Sequence, residues 1–242
     1  SLLDKTNLLI TPNAVKAGKL YSVIPSSGTG DCTVVRNTTS TNINSSRIIV
    51  SSAVNVPRIN YLTVSGIPFI LDEPQATNLQ AFSEDFSNAI YLNENVTNAL
   101  TSVINPRNIN SVYKISENSI NTFHRLRINA SLTGDYYFSL FIKADGRNFF
   151  YIRSSSNSGT FNTGFNLLNG TVTFDGNADA KIEAFPNGYF RCSVKTNNST
   201  GISPSLSNIA VVNNNIVQYL GDGTSGLYFF GAQLELNKLT SY

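Results

Sequence analysis

The residues able to do chemistry are few and thinly grouped. The chain of 242 residues holds one histidine, His124. It stands in the stretch 123–128, where His124, Leu126 and Ile128 alternate with Arg125 and Arg127. That is the period-2 pattern of a half-buried strand. A histidine sharing a face with leucine and isoleucine reads as a core or subunit-interface residue, not as a general base. Zinc sites and serine–histidine–aspartate triads need partners that this sequence does not group around it. Glycan hydrolysis needs two carboxylates on one face of a cleft. No Glu-x-Asp-x-x-Glu spacing occurs in the chain. Glu84 and Asp85 are adjacent, so a strand would point them to opposite faces. Glu183 is alone in its stretch, and Glu235 stands near the end of the sequence. The expectation is a protein that is not an enzyme.

Asp175, Asn177 and Asp179 place oxygen-bearing side chains at alternate positions, as calcium loops do. The glycine and distal glutamate of an EF-hand are not in register with them. The segment reads as a polar turn between strands, with calcium as the alternative; no other cofactor is expected. Asp222, in Gly221-Asp222-Gly223-Thr224-Ser225-Gly226, has a lesser claim of the same kind. That glycine-rich stretch lacks the lysine of a phosphate loop and reads as a turn entering the last strand. Aromatic side chains could stack on sugar rings. Tyr136, Tyr151, Tyr189 and Tyr228 are candidates for glycan binding by residue type, although most aromatics here sit in dense apolar runs that suit a core.

The elements that must position these residues are strands. Apolar residues make up 41% of the chain and charged residues 13%, about half the charged share usual in soluble proteins. Asn, Ser and Thr supply the polar surface and favour turns. Strand-like runs recur at 123–128, 136–143, 148–153, 160–168, 171–174, 181–185, 188–195, 208–212 and 227–236, with turn signals between them. This pattern implies a β-sandwich or barrel. Asp145-Gly146 signals a hairpin between the second and third of these runs. A short helix is expected near 83–91, with Ser83 as its cap.

Residues 1–30 read as an extended arm, closed by the turn cluster Pro25-Ser26-Ser27-Gly28-Thr29-Gly30. Residues 31–74 alternate short β pieces at 33–36, 47–50 and 67–71 with turns. The net charge is +2 and no basic stripe occurs, so nucleic acid is not an expected partner. No apolar run reaches membrane-spanning length, so membrane insertion is not expected. Nor does the sequence start with a signal-peptide pattern. Cys32 and Cys192 read as two small apolar residues, with a single long-range disulfide as the alternative.

Several stretches, in order, resemble virion proteins of tailed phages. They are Thr33-Val34-Val35-Arg36, Asn55-Val56-Pro57-Arg58 with Tyr61, Leu71-Asp72-Glu73-Pro74-Gln75-Ala76-Thr77-Asn78-Leu79, and Ser83-Glu84-Asp85-Phe86. Farther on come Asn187-Gly188-Tyr189-Phe190-Arg191, then 219–226, Gly231-Ala232-Gln233-Leu234-Glu235 and Thr240-Ser241-Tyr242. The early stretches 8–12 and 16–25 resemble the version in crAss-like phages of gut Bacteroides-type hosts. Tyr189 and Phe230 stand where tryptophan is common, which weakens a sugar platform there.

The resemblance implies an all-β chain. Residues 75–242 would form a jelly-roll sandwich of the concanavalin or carbohydrate-binding-module kind, and residues 1–74 an attachment arm using Leu8, Leu9, Ile10 and Tyr21. It implies a head- or tail-associated fibre or decoration subunit, assembled in the bacterial cytoplasm and residing in the virion. Homotrimeric association, capsid or tail proteins as partners, and adhesion to host-surface glycan are the further expectations. The alternative is a carbohydrate-binding module of a secreted or virion-bound protein.

Overall fold

The computed structural model describes residues 9–16, 19–24, 28–61, 65–128, 134–156, 159–175, 179–198, 205–208, 211–212, 215–216 and 218–242. Side-chain surroundings are described for 33–61, 65–128, 134–153, 163–175, 179–195 and 218–242. The chain is all-β and divides into two compact units, 1–74 with 241–242, and 75–240. Among the described residues no helix is long and apolar enough to cross a membrane.

In the first unit, β1 (Leu9–Lys16), β2 (Lys19–Ile24) and β3 (Gly28–Thr33) form an antiparallel sheet in that order. The described part of the expected arm is thus three strands that pair with one another. Two hairpins follow: β4 (Ser40–Ile43) with β5 (Ile49–Ser52), and β6 (Ile59–Tyr61) with β7 (Pro68–Ile70). The stretch 34–36 leaves the sheet because the Arg36 guanidinium turns onto main-chain carbonyls. Its Nη1 donates to Thr38 O at 2.7 Å and its Nη2 to Val56 O at 3.1 Å. Arg58 pairs with Glu73 at 2.9 Å, and Glu73 Oε1 also accepts the Ser241 backbone N–H at 3.0 Å. Three of the quoted stretches thus meet in one half-buried polar cluster.

The second unit is a jelly-roll sandwich. Its strands are β8 (Tyr91–Glu94), β9 (Val96–Ile104), β10 (Asn110–Glu117), β11 (Asn121–Thr122), β12 (Arg125–Ile128), β13 (Gly134–Asp145), β14 (Phe149–Ser156), β15 (Gly159–Asn166), β16 (Thr171–Asp175), β17 (Lys181–Phe185), β18 (Tyr189–Asn198), β19 (Ser205–Asn208), β20 (Val211–Val212), β21 (Asn215–Ile216), β22 (Tyr219–Leu220) and β23 (Gly226–Leu236). One six-stranded antiparallel sheet runs β17-β18-β13-β23-β10-β9, and the other β16-β15-β14-β19-β12-β8. Phe138, Leu140 and Ile142 of β13 and Phe229 and Leu234 of β23 meet Leu126, Phe150, Ile152 and Phe165 of the other sheet in one core. The ring of Phe150 meets that of Phe229 edge-on at 5.6 Å. Burying each such side chain contributes about 1.5–3 kcal/mol.

Two sequence expectations change here. Asp145-Gly146 does not close a hairpin: β13 lies in one sheet and β14 in the other. Both strands carry apolar residues at alternate positions, and the turn sends them to opposite walls of the same core. Gly146, at φ 84°, makes the corner. The expected helix at 83–91 is instead a series of turns. Asp85 Oδ1 takes the Ser87 N–H at 3.1 Å, and Asn88 Oδ1 takes the Ile90 N–H at 3.2 Å. Such local side-chain acceptors compete with helical hydrogen bonds. Phe86 plugs into the core 4.8 Å from the Tyr91 ring.

Candidate functional site

Alternation along the strands decides which residues face away from the core. Leu126 and Ile128 of β12 and Phe150 and Ile152 of β14 are core residues. Arg125, Arg127, Tyr151 and Arg153 therefore lie on the outer face of that sheet. The strand register aligns two rows across it. The first is Glu94, Arg125, Ser207, Tyr151, Gly164 and Phe174. The second is Leu92, Arg127, Ser205, Arg153 and Asn162. Six strands at about 4.8 Å spacing make the first row about 24 Å long.

One end of this face is cationic. The Glu94 carboxylate sits between two arginines, with Oε2 bonded by Arg125 Nε and Oε1 by Arg127 Nη1 at 2.5 Å. Partial burial alone would raise its pKa; the hydrogen bonds and charges of Arg127 and Arg125 outweigh that and hold it below the usual carboxylate range. The Arg125 guanidinium also lies 5.8 Å over the Phe123 ring. Arg153 is half-buried and makes no ion pair among the described residues. The other end is aromatic. Phe174, half-buried, lies across Gly164, where any Cβ would overlap its ring.

No family model and no curated protein matches the chain. Its fold is similar to that of solved β-domains at low identity. The CBM22-1 and GH10 modules of Clostridium thermocellum xylanase 10B, complexed with xylohexaose, align at 14% identity and TM-score 0.40 over 69% of this chain and 29% of that one. The enzymatically active domain of bacteriophage CBA120 tailspike protein 4 aligns at 12% identity and TM-score 0.36 over 65% of this chain and 21% of that one. The CBM22-1 xylan-binding domain of Paenibacillus barcinonensis Xyn10C aligns at 9% identity and TM-score 0.34 over 62% of this chain and 87% of that one. The chain thus matches less than a third of the first two structures.

The four candidate tyrosines scatter. Tyr136 packs in the core, and Tyr189 and Tyr151 have no exposed surface. None of these three offers an open ring to a sugar. Tyr228 is half-buried on the outer face of the other sheet, in register with Lys143 and Lys114. Burial and the nearby Asp145 raise its pKa. The attachment residues Leu9, Ile10 and Tyr21 fall in β1 and β2, while Leu8 lies outside the described residues.

Of the calcium candidates, Asn177 lies outside the described residues. Asp175 Oδ2 accepts the backbone N–H groups of Asp179 at 3.1 Å and Ala180 at 3.2 Å, so its carboxylate ties the turn together. Asp222 does the same for its own loop, accepting Thr224 N–H at 2.8 Å and Ser225 N–H at 2.7 Å.

His124 is fully buried, as its strand pattern implies. Its Nδ1 lies 3.0 Å from Asn95 O, and its ring lies 4.6 Å from that of Tyr219. Beside it, the buried Glu117 carboxylate is gripped by Arg147 through both oxygens, with Nε–Oε2 at 2.9 Å. Tyr219 donates its hydroxyl to Oε2 at 2.5 Å, and the Asp222 N–H donates to Oε1 at 2.8 Å. Cys192 is a free thiol in the core, its pKa pushed up by burial.

Alternation in the sequence marks Arg125 and Arg127 as out of phase with the core, but nothing local groups Glu94, Arg153, Gly164 and Phe174 on the same sheet face. A glycine inside a strand pattern is itself a signal of close approach, and Gly164 carried that signal.

Proposed function

We propose that the chain is a structural subunit of a tailed-phage particle whose sandwich unit binds saccharide across the outer face of β8, β12, β19, β14, β15 and β16. The observation that carries the binding role is the row from Glu94 and Arg125 to Phe174. It puts planar guanidinium forks, which suit sugar oxygens, at one end and an aromatic ring, which suits the apolar faces of sugars, at the other, with the buried Tyr151 between them. The virion role rests on the ordered stretches that resemble phage proteins. In this reading the first unit docks on capsid or tail proteins, three chains associate, and the protein resides in the particle.

In this reading the protein binds and does not catalyse. A general acid needs a carboxyl with a raised pKa. Arginine instead holds the pKa of Glu94 and of Glu117 below the usual carboxylate range.

Affinity electrophoresis against host-surface polysaccharide tests the binding role. Retardation of the wild-type chain that disappears in an Arg125→Ala, Arg127→Ala variant with unchanged circular dichroism is the expected result; equal retardation of both chains sinks it. Density for the chain in a reconstruction of the particle, together with a solution mass of three chains, is expected for the virion role. A monomer at micromolar concentration, or particles lacking the chain, would leave the secreted-module alternative standing.

A further inference from the structure

We infer that the sandwich edge at β9 pairs with the β9 of a second copy of this chain, antiparallel about a two-fold axis at Ala99. The inference goes beyond the saccharide and virion readings above and does not rest on them. Among the described residues β9 pairs with β10 alone, so it is an edge of its six-stranded sheet. An edge strand presents unpaired main-chain groups, and folded proteins blunt such edges with charge, proline or a cover. The two six-stranded sheets end in β17 and β9, and in β16 and β8. β8 carries Glu94, β16 carries Asp175, and β17 carries Lys181 and Glu183. β9 carries no charged residue and no proline.

Nor is β9 covered. Leu100 is 59% exposed and Ile104 41%, and Thr97, Ala99 and Ser102 are exposed as well. The register shows which main-chain groups are free. The Asn118 N–H donates to Asn95 O at 3.1 Å, one step before the pair of Val96 and Glu117. Bonded and non-bonded pairs alternate along an antiparallel ladder. Thr97, Ala99 and Thr101 therefore bond to Ser116, Lys114 and Val112, and the N–H and C=O of Asn98 and Leu100 point off the edge. The Asn98 side chain donates to Phe86 O at 2.7 Å, so it does not cap them.

A second β9 answers this pattern. Placed antiparallel with Ala99 opposite Ala99, it sets the free main chain of Asn98 against that of Leu100 in the second copy, and the two-fold repeats the match. Ala99 then falls at a non-bonded pair, where Cα atoms approach to about 4.5 Å and a small side chain suits the closeness. No like charges meet. Lys114, beside Ala99 on β10, is already paired with Asp145 at 2.6 Å. Each of the three other edges would instead bring a charge against this uncharged strand. The register shift between Thr101 and Ile104 ends the regular ladder, so the pairing runs over 96–101. One such strand pair stays below the roughly 1,000 Å² of a lasting interface, so the contact depends on concentration.

The test uses the full chain. Solution mass is expected to double between about 1 µM and about 200 µM, whatever number of chains associates at the lower concentration. The lower mass reads the three-chain association proposed above; the doubling reads β9. Leu100→Lys and Thr97→Lys place a cation on the edge and are expected to abolish the doubling. Both side chains are exposed, so circular dichroism should not change. Ala99→Cys is expected to give a cross-linked two-chain band on a non-reducing gel, because Cα atoms that close lie within disulfide reach. Ser102→Cys, on the same strand but away from the axis, is expected to give none. A wild-type mass that does not rise with concentration overturns the pairing. Doubling retained in both lysine variants overturns the assignment to β9. Equal cross-linking of the two cysteine variants, or none in either, overturns the axis at Ala99.

Discussion

Phe174 lies across the backbone of Gly164. An ideal Cβ at 164 would fall 2.7 Å from Phe174 Cδ1 and closer still to its Cε1. The two residues are cross-strand partners of β15 and β16. The missing side chain is what lets an aromatic ring lie on the sheet there.

Gly164→Ala therefore displaces the ring or strains the pair. The expected loss of stability is about 1–3 kcal/mol, typical of inserting a methyl into occupied space. A urea unfolding midpoint measures it. A midpoint equal to that of the wild-type chain would show that the ring position does not depend on the glycine.

The Glu117 carboxylate holds Arg147, the Tyr219 hydroxyl and the Asp222 N–H. Its side chain has no exposed surface and that of Arg147 is 25% exposed. Glu117→Ala strands the guanidinium and two further donors, for an expected loss of about 3 kcal/mol. Arg147→Met removes the same ion pair but leaves Glu117 buried and charged, so it is expected to be at least as destabilising. Thermal melts of the two variants check the order.

The same carboxylate sets an acid limit. Burial alone would raise the Glu117 pKa, but the bonds from Arg147, Tyr219 and Asp222 outweigh it, and the net value lies below the usual range. Glu94 behaves alike. A carboxyl whose folded pKa is depressed stabilises the fold fully above its unfolded pKa, and that stabilisation is lost as pH falls through the folded value. The melting temperature should hold from neutral pH to about 5 and fall below about 4, where unfolded glutamates begin to bind protons. Glu117→Gln should melt lower than wild type at neutral pH and lose less between those limits. Parallel curves for the two chains would assign the acid sensitivity elsewhere.

Arg191 is a buried cation held by neutral acceptors: Ser139 Oγ at 3.0 Å, Gln233 Oε1 at 2.9 Å and Thr240 O at 2.7 Å. Its guanidinium also lies 5.7 Å from the centre of the Phe141 ring. Arg191→Lys keeps the charge but not the planar fork. It should lose about 1–3 kcal/mol, and Arg191→Ala more. Chemical denaturation of both variants tests this; a lysine variant as stable as wild type would mean that charge alone suffices.

Much of the strand content was legible in the sequence because burial in a sandwich follows a period of two. The stretch 181–185 is β17 as expected, and 123–128 contains β12 with Leu126 and Ile128 inward. Turn chemistry was legible where it is local. Asn169-Gly170, with Gly170 at φ 66°, connects β15 to β16, which pair as a hairpin. Asp145-Gly146 carries the same local signal but joins strands of different sheets, because a turn does not encode which sheet its second strand enters.

The quoted stretches were visible as residues, not as contacts. Arg191, Gln233, Glu235 and Thr240 come from three separate stretches and meet in one buried network. By itself the sequence determined the fold class, the strand phases and the burial of His124, all set by alternation within a few residues. Only the tertiary structure decided that Glu94, Arg125, Arg153 and Phe174 share one surface. Their strands are far apart in the chain, and long-range register, not local pattern, brings them into line.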